Sequence, residues 1–203
     1  MNMTDTKTKI LESAFNLFSF KGYEGTSMRE IAKHADVNLS AINYHFQSKD
    51  KLCEEVLSKA VSELTDGMGL LIGENQNLTF EELVPVIYRD LRSHSGQFLS
   101  CFRILASVEL DPNFICAEDK ELGGPPGSHL LLKKLTEELG DEVSLEDRIW
   151  VVQTITCQMT HLVLMGGTSV AKSEKLKDVF SQEFVEKRLS RLARALIREV
   201  KRS

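Results

Sequence analysis

The sequence has little proline and no repeating pattern of glycine. Only four of its 203 residues are proline, which suits a helical protein because proline interrupts helices beyond their first turn. The 12 glycines follow no period, so collagen-like and glycine-rich low-complexity chains are excluded. With 42% hydrophobic and 27% charged residues, wholesale disorder is excluded as well. We therefore expect one domain, or a small domain followed by a medium one.

Long apolar runs are also missing. No stretch approaches the ~18 consecutive apolar residues of a membrane span, and the first seven residues hold no apolar core of a secretory signal. We expect a cytoplasmic protein, in which thiols stay reduced. The cysteines form no C-x-x-C pair and are predicted to be buried thiols. They are Cys53, Cys101, Cys116 and Cys157.

The motifs of common enzymes are absent too. The chain contains no G-x-S-x-G, no P-loop, no H-E-x-x-H and no dinucleotide-binding fingerprint. Its five histidines are scattered and show no metal-ligand spacing with cysteines or carboxylates. We therefore expect no catalytic residues, no metal site and no cofactor.

Charge is distributed unevenly along the chain. The net charge is -5, which argues against a protein that coats nucleic acid by bulk charge. Residues 1–52 hold seven basic and six acidic residues, whereas the remainder holds 18 basic and 24 acidic ones. The N-terminal part is thus slightly positive and the rest acidic, which favours a nucleic-acid contact in the N-terminal part.

What is present is a helical pattern, because apolar residues recur at spacings of three and four almost throughout. We predict an all-α protein of about nine helices, with a domain over residues 1–47 and a second over residues 48–203. A fourth helix over residues 48–72 connects them. Gly67, Gly69 and Gly73 either end that helix or make it bendable. Capping residues are predicted at Ser27, Asn38, Ser48, Thr79 and Ser144, and a long loop over residues 111–127.

The second and third helices are short and only three or four residues apart, which is helix-turn-helix spacing. Asp36 takes the turn position where glycine is usual, and aspartate tolerates unusual backbone angles. The third helix offers short polar and aromatic side chains that suit base edges, thymine methyl groups and phosphates. The alternative is an ordinary three-helix cluster with solvated polar faces. The candidates for DNA contact on the third helix and at its cap are Asn38, Ser40, Ala41, Asn43, Tyr44 and His45.

The amino-acid sequence of residues 22–32 and 37–52 closely resembles that of the TetR family of bacterial transcription regulators. The resemblance covers roughly residues 8–55, and its best single marker is the spacing of Tyr44, Phe46, Lys49 and Leu52. It implies an all-helical homodimer with an N-terminal DNA-binding domain and a larger ligand-binding body. The Asn-Tyr-His-Phe wording of residues 43–46 also resembles fatty-acid-responsive members.

This resemblance implies roles for individual residues. Thr26, Ser27, Tyr44 and Lys49 become phosphate anchors, helped by backbone amides at a helix start. Ser40, Ala41, Asn43 and His45 become candidates for lining the major groove, next to Asn38 at the cap. For Tyr44 an alternative remains, in which its ring packs against the first helix. His45 either gains a phosphate partner when protonated or packs near Phe46.

The C-terminal body carries a polar run between Gln153 and His161 in a long apolar helix. These side chains either line a pocket or form a polar seam between two copies. The resemblance places the last two helices in the dimer interface, which favours the polar seam for most of these side chains. For His161 both alternatives, the pocket and the interface, stay open. Candidate walls of an apolar pocket for a hydrophobic or amphipathic effector are Phe98, Phe102, Leu105, Trp150 and Met159.

Two functions remain in competition. The first is a DNA-binding regulator, in the family's usual mode a repressor that an effector releases from a palindromic operator. The second is a helical adaptor that binds protein and no DNA, which would make the wording between Tyr44 and Lys49 coincidental.

Overall fold

The computed structural model describes residues 3–108 and 117–202. These residues form ten α-helices and a single turn of 3₁₀-helix at Gly140–Glu142, and no strand occurs among them. The predicted all-α class is confirmed. The helices are α1 Met3–Lys21, α2 Met28–His34, α3 Leu39–Phe46, α4 Lys49–Glu74, α5 Phe80–Ser93, α6 Ser95–Leu105, α7 Ala117–Leu122, α8 Ser128–Leu139, α9 Leu145–Gly166 and α10 Gln182–Val200.

Four of the predicted helix starts are confirmed by their capping hydrogen bonds. At the start of α4 the Ser48 hydroxyl accepts the N–H of Lys51 at 3.1 Å. Ser27 and Thr79 form complete capping boxes with Glu30 and Glu82, three residues further on. The Ser144 side chain accepts the N–H of Asp147 at the start of α9. Each cap satisfies amides that the first helical turn leaves without a partner, so local chemistry fixes where these helices begin.

The predicted loop over residues 111–127 is wrong in part. Ala117–Leu122 form α7, while residues 109–116 lie outside the described part of the chain. The carboxylate of Asp119 is buried and accepts the N–H groups of Gly127 and His129 at 2.6 and 2.8 Å. This carboxylate holds α7 to the start of α8. Of the glycines and prolines that predicted a loop, those at residues 123–127 connect α7 to α8, and Pro112 lies outside the described residues.

The first compact unit comprises residues 1–63 and 97–115. Its core is formed where α1, α2, α3 and the first part of α4 turn their apolar faces inward, and Ile104 of α6 belongs to it. The unit therefore extends beyond the predicted N-terminal domain of residues 1–47. Its largest fully buried side chains include Ile10, Phe18, Ile31, Ile42, Phe46, Leu52 and Leu57.

The second compact unit comprises residues 64–96 and 116–203. In it α5 packs on α10, α9 packs on α8 and α10, and α7 packs on α8. Phe80, Leu83, Ile87 and Tyr88 of α5 are fully buried. Burial of this apolar face, at ~25 cal/mol per Å² removed from water, is what assembles the unit.

Helix α9 is long enough and apolar enough to cross a membrane, judged by length and composition alone. Its most apolar 18-residue window has a mean hydropathy of 1.2 and is 39% buried in the protein. The core helix of a soluble protein passes the same test, and Val151, Val152, Ile155 and Met159 of α9 are core residues.

The prediction of buried thiols is confirmed for two cysteines and wrong for a third. Burial raises the pKa of the Cys53 thiol to about 12 and that of the Cys101 thiol to about 11, so both are inert. Cys157 is exposed on α9, because it lies on the face opposite the core. Cys116 lies outside the described residues.

Helix α4 runs unbroken through Gly67 and Gly69 and ends at Glu74, one residue after Gly73, so the predicted helix end is confirmed near Gly73 and wrong at the two earlier glycines. A bendable helix remains a prediction. A methyl group added at Gly67 or Gly73 meets no other atom within 4 Å.

We expect Gly67→Ala to raise the free energy of unfolding by about 1 kcal/mol, because alanine loses less backbone entropy in a helix interior. Urea denaturation followed by circular dichroism measures the change. The matched control is Gly140→Ala, at a position with φ 64, which should destabilise the chain. A Gly67→Ala chain that is less stable than the wild type would mean that α4 is not a regular helix at this point.

Candidate nucleic-acid interface

The short turn between α2 and α3 depends on one residue in the left-handed backbone region. Asp36 has φ 54, which confirms the prediction that aspartate replaces the usual glycine. The N–H of Val37 then donates to the carbonyl of Ala32 at 3.0 Å and closes α2. Because the turn is so tight, α3 begins at Leu39 and crosses α2 in the manner of a helix-turn-helix.

A second residue with positive φ ends α3, and the sequence analysis missed it. Gln47 has φ 62, and the N–H of Ser48 donates to the carbonyl of Phe46 at 2.6 Å. This tight turn lets α4 begin at Lys49, only three residues after α3 ends. Glutamine gives no sequence signal for such a backbone, so only the structure identifies it.

Burial of two side chains determines which face of α3 meets solvent. Ile42 and Phe46 are buried in the core of the first unit. Ser40 and Asn43 are exposed on the other side of the helix. The candidate residues on the outer face are therefore presented by a helix whose inner face is fixed.

Tyr44 lies on the outer face and is 72% exposed. Its ring meets the edge of the His45 ring, with the two centroids 5.3 Å apart, and the alternative in which it packs against α1 is wrong. His45 and Ala41 are half-buried. Asn38 is exposed at the cap position of α3, but its side chain makes no capping hydrogen bond, so its amide stays directed to solvent.

The structure places one predicted phosphate anchor inside the protein. Thr26 is only 2% exposed, and its hydroxyl donates to the carbonyls of Gly22 and Leu17 at 2.8 and 3.3 Å. The hydroxyl thus satisfies carbonyls at the end of α1 and is not presented to DNA. Next to it, Gly25 approaches the Lys21 carbonyl so closely that a Cβ atom would lie 2.4 Å from its oxygen.

Ser27 is exposed, and its polar groups serve the start of α2. Its N–H and hydroxyl both donate to the Glu30 carboxylate at 2.9 Å. Lys21 donates to the same carboxylate at 2.8 Å. The hydrogen bond from Lys21, and then those from Ser27, lower the pKa of Glu30 to about 2. Glu30 therefore stays ionised and ties the end of α1 to α2.

Lys49 is held at the start of α4 by a residue to which the sequence analysis assigned no role. Its ammonium group lies 3.9 Å from the centroid of the Tyr23 ring. The Tyr23 hydroxyl donates to the carboxylate of Asp50. Burial and the Asp50 carboxylate raise the pKa of Tyr23, so its hydroxyl remains a donor at physiological pH. Tyr23 thus anchors the α1–α2 connection to α4 and orients Lys49, a contact over 26 residues that no local pattern could reveal.

The five candidate pocket walls and His161 are divided between the two units. Phe98, Phe102 and Leu105 belong to α6 in the first unit, where Phe102 is exposed and Leu105 packs against the core. Trp150, Met159 and His161 belong to α9 in the second unit. Met159 is buried there, whereas Trp150 and His161 are exposed.

The polar run of α9 is used in several ways. Gln153 donates to the carbonyl of Leu122, and the buried Thr156 donates back to Val152 of its own helix at 2.8 Å. Gln158 instead lines a surface groove of about 420 Å³ between α9 and α10. The run therefore has internal and outward-facing members.

Comparison with known proteins agrees with the helix-turn-helix described above. Residues 10–56 match the family of bacterial regulatory proteins of the tetR type. Over 54 residues the chain is 56% identical to the probable HTH-type transcriptional regulator YttP of Bacillus subtilis, which is 27% of this chain and 26% of YttP. Over 71 residues it is 38% identical to IcaR, the negative transcriptional regulator of the icaADBC biofilm operon of Staphylococcus aureus, which is 35% of this chain and 36% of IcaR.

Likeness of fold extends much further than likeness of sequence. A solved transcriptional regulator of the TerR/AcrR family from Aquifex aeolicus is 25% identical, with a TM-score of 0.61 over 92% of this chain and 96% of its own. The first part of the molecule is thus a helix-turn-helix unit. More particularly, residues 10–56 are similar to the N-terminal domain of the TetR family, and the relatives that match this segment are transcriptional regulators. The matched segments span about a quarter to a third of YttP and IcaR.

The Tyr23 hydroxyl is expected to stabilise the fold through its hydrogen bond to Asp50, independently of the contact between the Tyr23 ring and Lys49. We expect Tyr23→Phe to lower the free energy of unfolding by about 0.5–1.5 kcal/mol, the worth of one hydrogen bond. Tyr23→Leu also removes the ring under Lys49 and should cost more. Urea denaturation of both variants gives the comparison, and an unchanged Tyr23→Phe chain would show that the bond to Asp50 contributes nothing.

Acid should weaken the tie at Glu30. Since its pKa is about 2 in the folded chain and 4.5 without these partners, its contribution to stability is complete above pH 4.5 and is lost progressively as the pH falls toward 2. Glu30→Gln should therefore lose less stability than the wild type over this interval. Urea midpoints measured at several pH values test this, and parallel losses in both chains would contradict it.

Proposed function

We propose that the protein is a DNA-binding transcriptional regulator that reads its site with the outer face of α3. The observation that carries the proposal is the exposed polar face of α3, fixed from behind by Ile42 and Phe46, within a segment that matches the TetR family. An α-helix of this kind fits the major groove of B-DNA. A protein adaptor would have no need of this surface and the cation at the start of α4 together.

The proposed contacts fall into two groups. Asn38, Ser40, Ala41 and Asn43 face the base edges, where short amide and hydroxyl groups distinguish bases and a small apolar group meets the thymine methyl. Tyr44, His45 and Lys49 stand beside them at the phosphates, as does Ser27 at the start of α2. Since the Thr26 hydroxyl is used inside the protein, Thr26 keeps a positioning role instead of the phosphate contact first expected.

The proposed active species is a homodimer that pairs α9 and α10 of each copy. Trp150 and Phe184 are 44% and 45% exposed, and a groove between α9 and α10 is lined by Leu162, Leu189 and Leu192. Exposed aromatic side chains beside a groove with an apolar floor are typical of an interface. A two-fold dimer would present two copies of α3 to a palindromic site with half-sites ~34–36 Å apart.

The proposed mode is repression relieved by a small hydrophobic or amphipathic effector in the cytoplasm. IcaR is a negative regulator, which supports repression. Helix α4 belongs partly to each compact unit, so an effector that favours one position of α4 shifts the DNA-binding equilibrium by its differential affinity. Because the sequence of residues 43–46 resembles that of fatty-acid-responsive members, a fatty-acid-like effector is the first class to test.

Selection of bound duplexes from a random pool tests the proposal. We expect enrichment of a palindrome. Enrichment of no sequence, by protein shown to be folded and free of bound small molecules by mass spectrometry, would contradict DNA recognition and favour the adaptor.

Variants of α3 and α4 then separate the two groups of contacts. On an enriched duplex, Asn43→Ala should cost ~1–3 kcal/mol and relax the base preference at one position. Lys49→Ala should weaken binding to all sequences alike and reduce the salt slope by ~1. Fluorescence anisotropy at several salt concentrations measures both, with Lys172→Ala, a change in the exposed segment after α9, as the control. Equal effects on specific and random duplexes for Asn43→Ala would show that it does not read bases.

A further inference from the structure

The second unit separates its charges into two blocks. Residues 137–147 contain six acidic and no basic residues, whereas residues 187–202 contain seven basic and one acidic residue. We call the first the acidic segment. The second lies almost wholly on α10. Such separation leaves a local field of each sign, whereas interspersed charges would cancel locally.

The basic block borders a groove of about 780 Å³ between α5 and α10. Leu78, Pro85, Val86 and Ala195 give the groove an apolar floor. One wall is fixed by Arg89, whose guanidinium donates twice to the Glu186 carboxylate at 2.9 and 2.7 Å. The groove is therefore a formed surface feature with an apolar base and a charged rim.

Two arginines on the rim form no direct ion pair among the described residues. Arg191 and Arg198 line the groove and are exposed, and neither forms an ion pair within residues 3–108 and 117–202. By contrast Arg194, on the same rim, is bound to Glu81. Arg198 also helps to lower the pKa of the Glu81 carboxyl, but without a direct ion pair. The groove thus offers two guanidinium groups that are open to direct pairing, over an apolar floor.

The acidic segment has the complementary features. Asp141, Glu142 and Glu146 are exposed and take part in no ion pair among the described residues. Between them Leu145 is 56% exposed. The segment is firmly held, because Val143 is buried and Ser144 caps α9. An apolar side chain flanked by carboxylates is therefore presented by a rigid backbone.

We propose that the acidic segment of one copy docks into the α5–α10 groove of a second copy. Leu145 meets the apolar floor, and the carboxylates face Arg191 and Arg198. Complementary charge selects this occupant, since Asp141, Glu142 and Glu146 on one side and Arg191 and Arg198 on the other form no ion pair among the described residues. Two such contacts related by a two-fold axis would close on themselves. This contact is additional to the α9–α10 pairing proposed above. Because Arg191 and Ala195 line both grooves, rescue by compensating changes in the acidic segment is what separates the two contacts.

Charge reversal tests the contact without DNA. Sedimentation velocity of the full chain gives its self-association at low and high salt. We expect the double variant Arg191→Glu with Arg198→Glu to weaken self-association about tenfold or more at low salt. The triple variant Asp141→Lys, Glu142→Lys and Glu146→Lys should do the same. A chain that carries all five changes restores complementarity and should associate again.

Controls keep the outcome clear. Lys172→Glu with Lys175→Glu alters the same net charge in an exposed segment outside the groove and should leave association unchanged. Circular dichroism verifies folding of each variant. The proposal is overturned if the chain with all five changes does not regain association. It is also overturned if the double variant associates as strongly as the wild type. Since DNA binding is measured separately, that result would leave the proposed function standing, and loss of DNA recognition would leave this contact standing.

Discussion

Burial of Ile42 and Phe46 against α1, α2 and α4 is the constraint on which the rest of the interface depends. An eight-residue helix makes too few hydrogen bonds to hold itself, so α3 exists because these two side chains leave water. Their burial also fixes the rotation of the helix. Ser40, Asn43 and Tyr44 then face outward as a consequence of packing.

The connections on either side of α3 convert this packing into a defined direction. Asp36 and Gln47 both occupy backbone conformations with positive φ, which cost non-glycine residues energy and persist only where surrounding packing holds them. They bring α2, α3 and α4 within a few residues of one another. Tyr23 then anchors the start of α4 through Asp50 and supports Lys49. The polar face of α3 and the cation of α4 are in this way parts of one rigid unit.

Much of this arrangement could be predicted from the sequence, because it depends on local signals. The capping boxes at Ser27 and Thr79 and the turn at Asp36 need only residues close in the chain. The inward hydroxyl of Thr26 and the positive φ of Gln47 could not be predicted, because neither residue type signals its arrangement. The role of Tyr23 could not be predicted because it depends on Asp50, 27 residues away. The candidate pocket could not be predicted either, because apolar residues in a helix give the same sequence pattern whether they line a pocket or a core. The long-range separation of charge between residues 137–147 and α10 was visible in the sequence, but its meaning required the groove.

The central claim is that the outer face of α3 and the start of α4 form the DNA-binding surface. Amide chemical shifts of isotope-labelled protein, recorded during addition of a random-sequence duplex at low salt, test this residue by residue. The account predicts that the largest shifts fall on residues 38–45 and on Lys49, with the buried core of the first unit little changed. Shifts confined to the second unit, or no shifts at all at duplex concentrations where basic surfaces bind DNA, would contradict it.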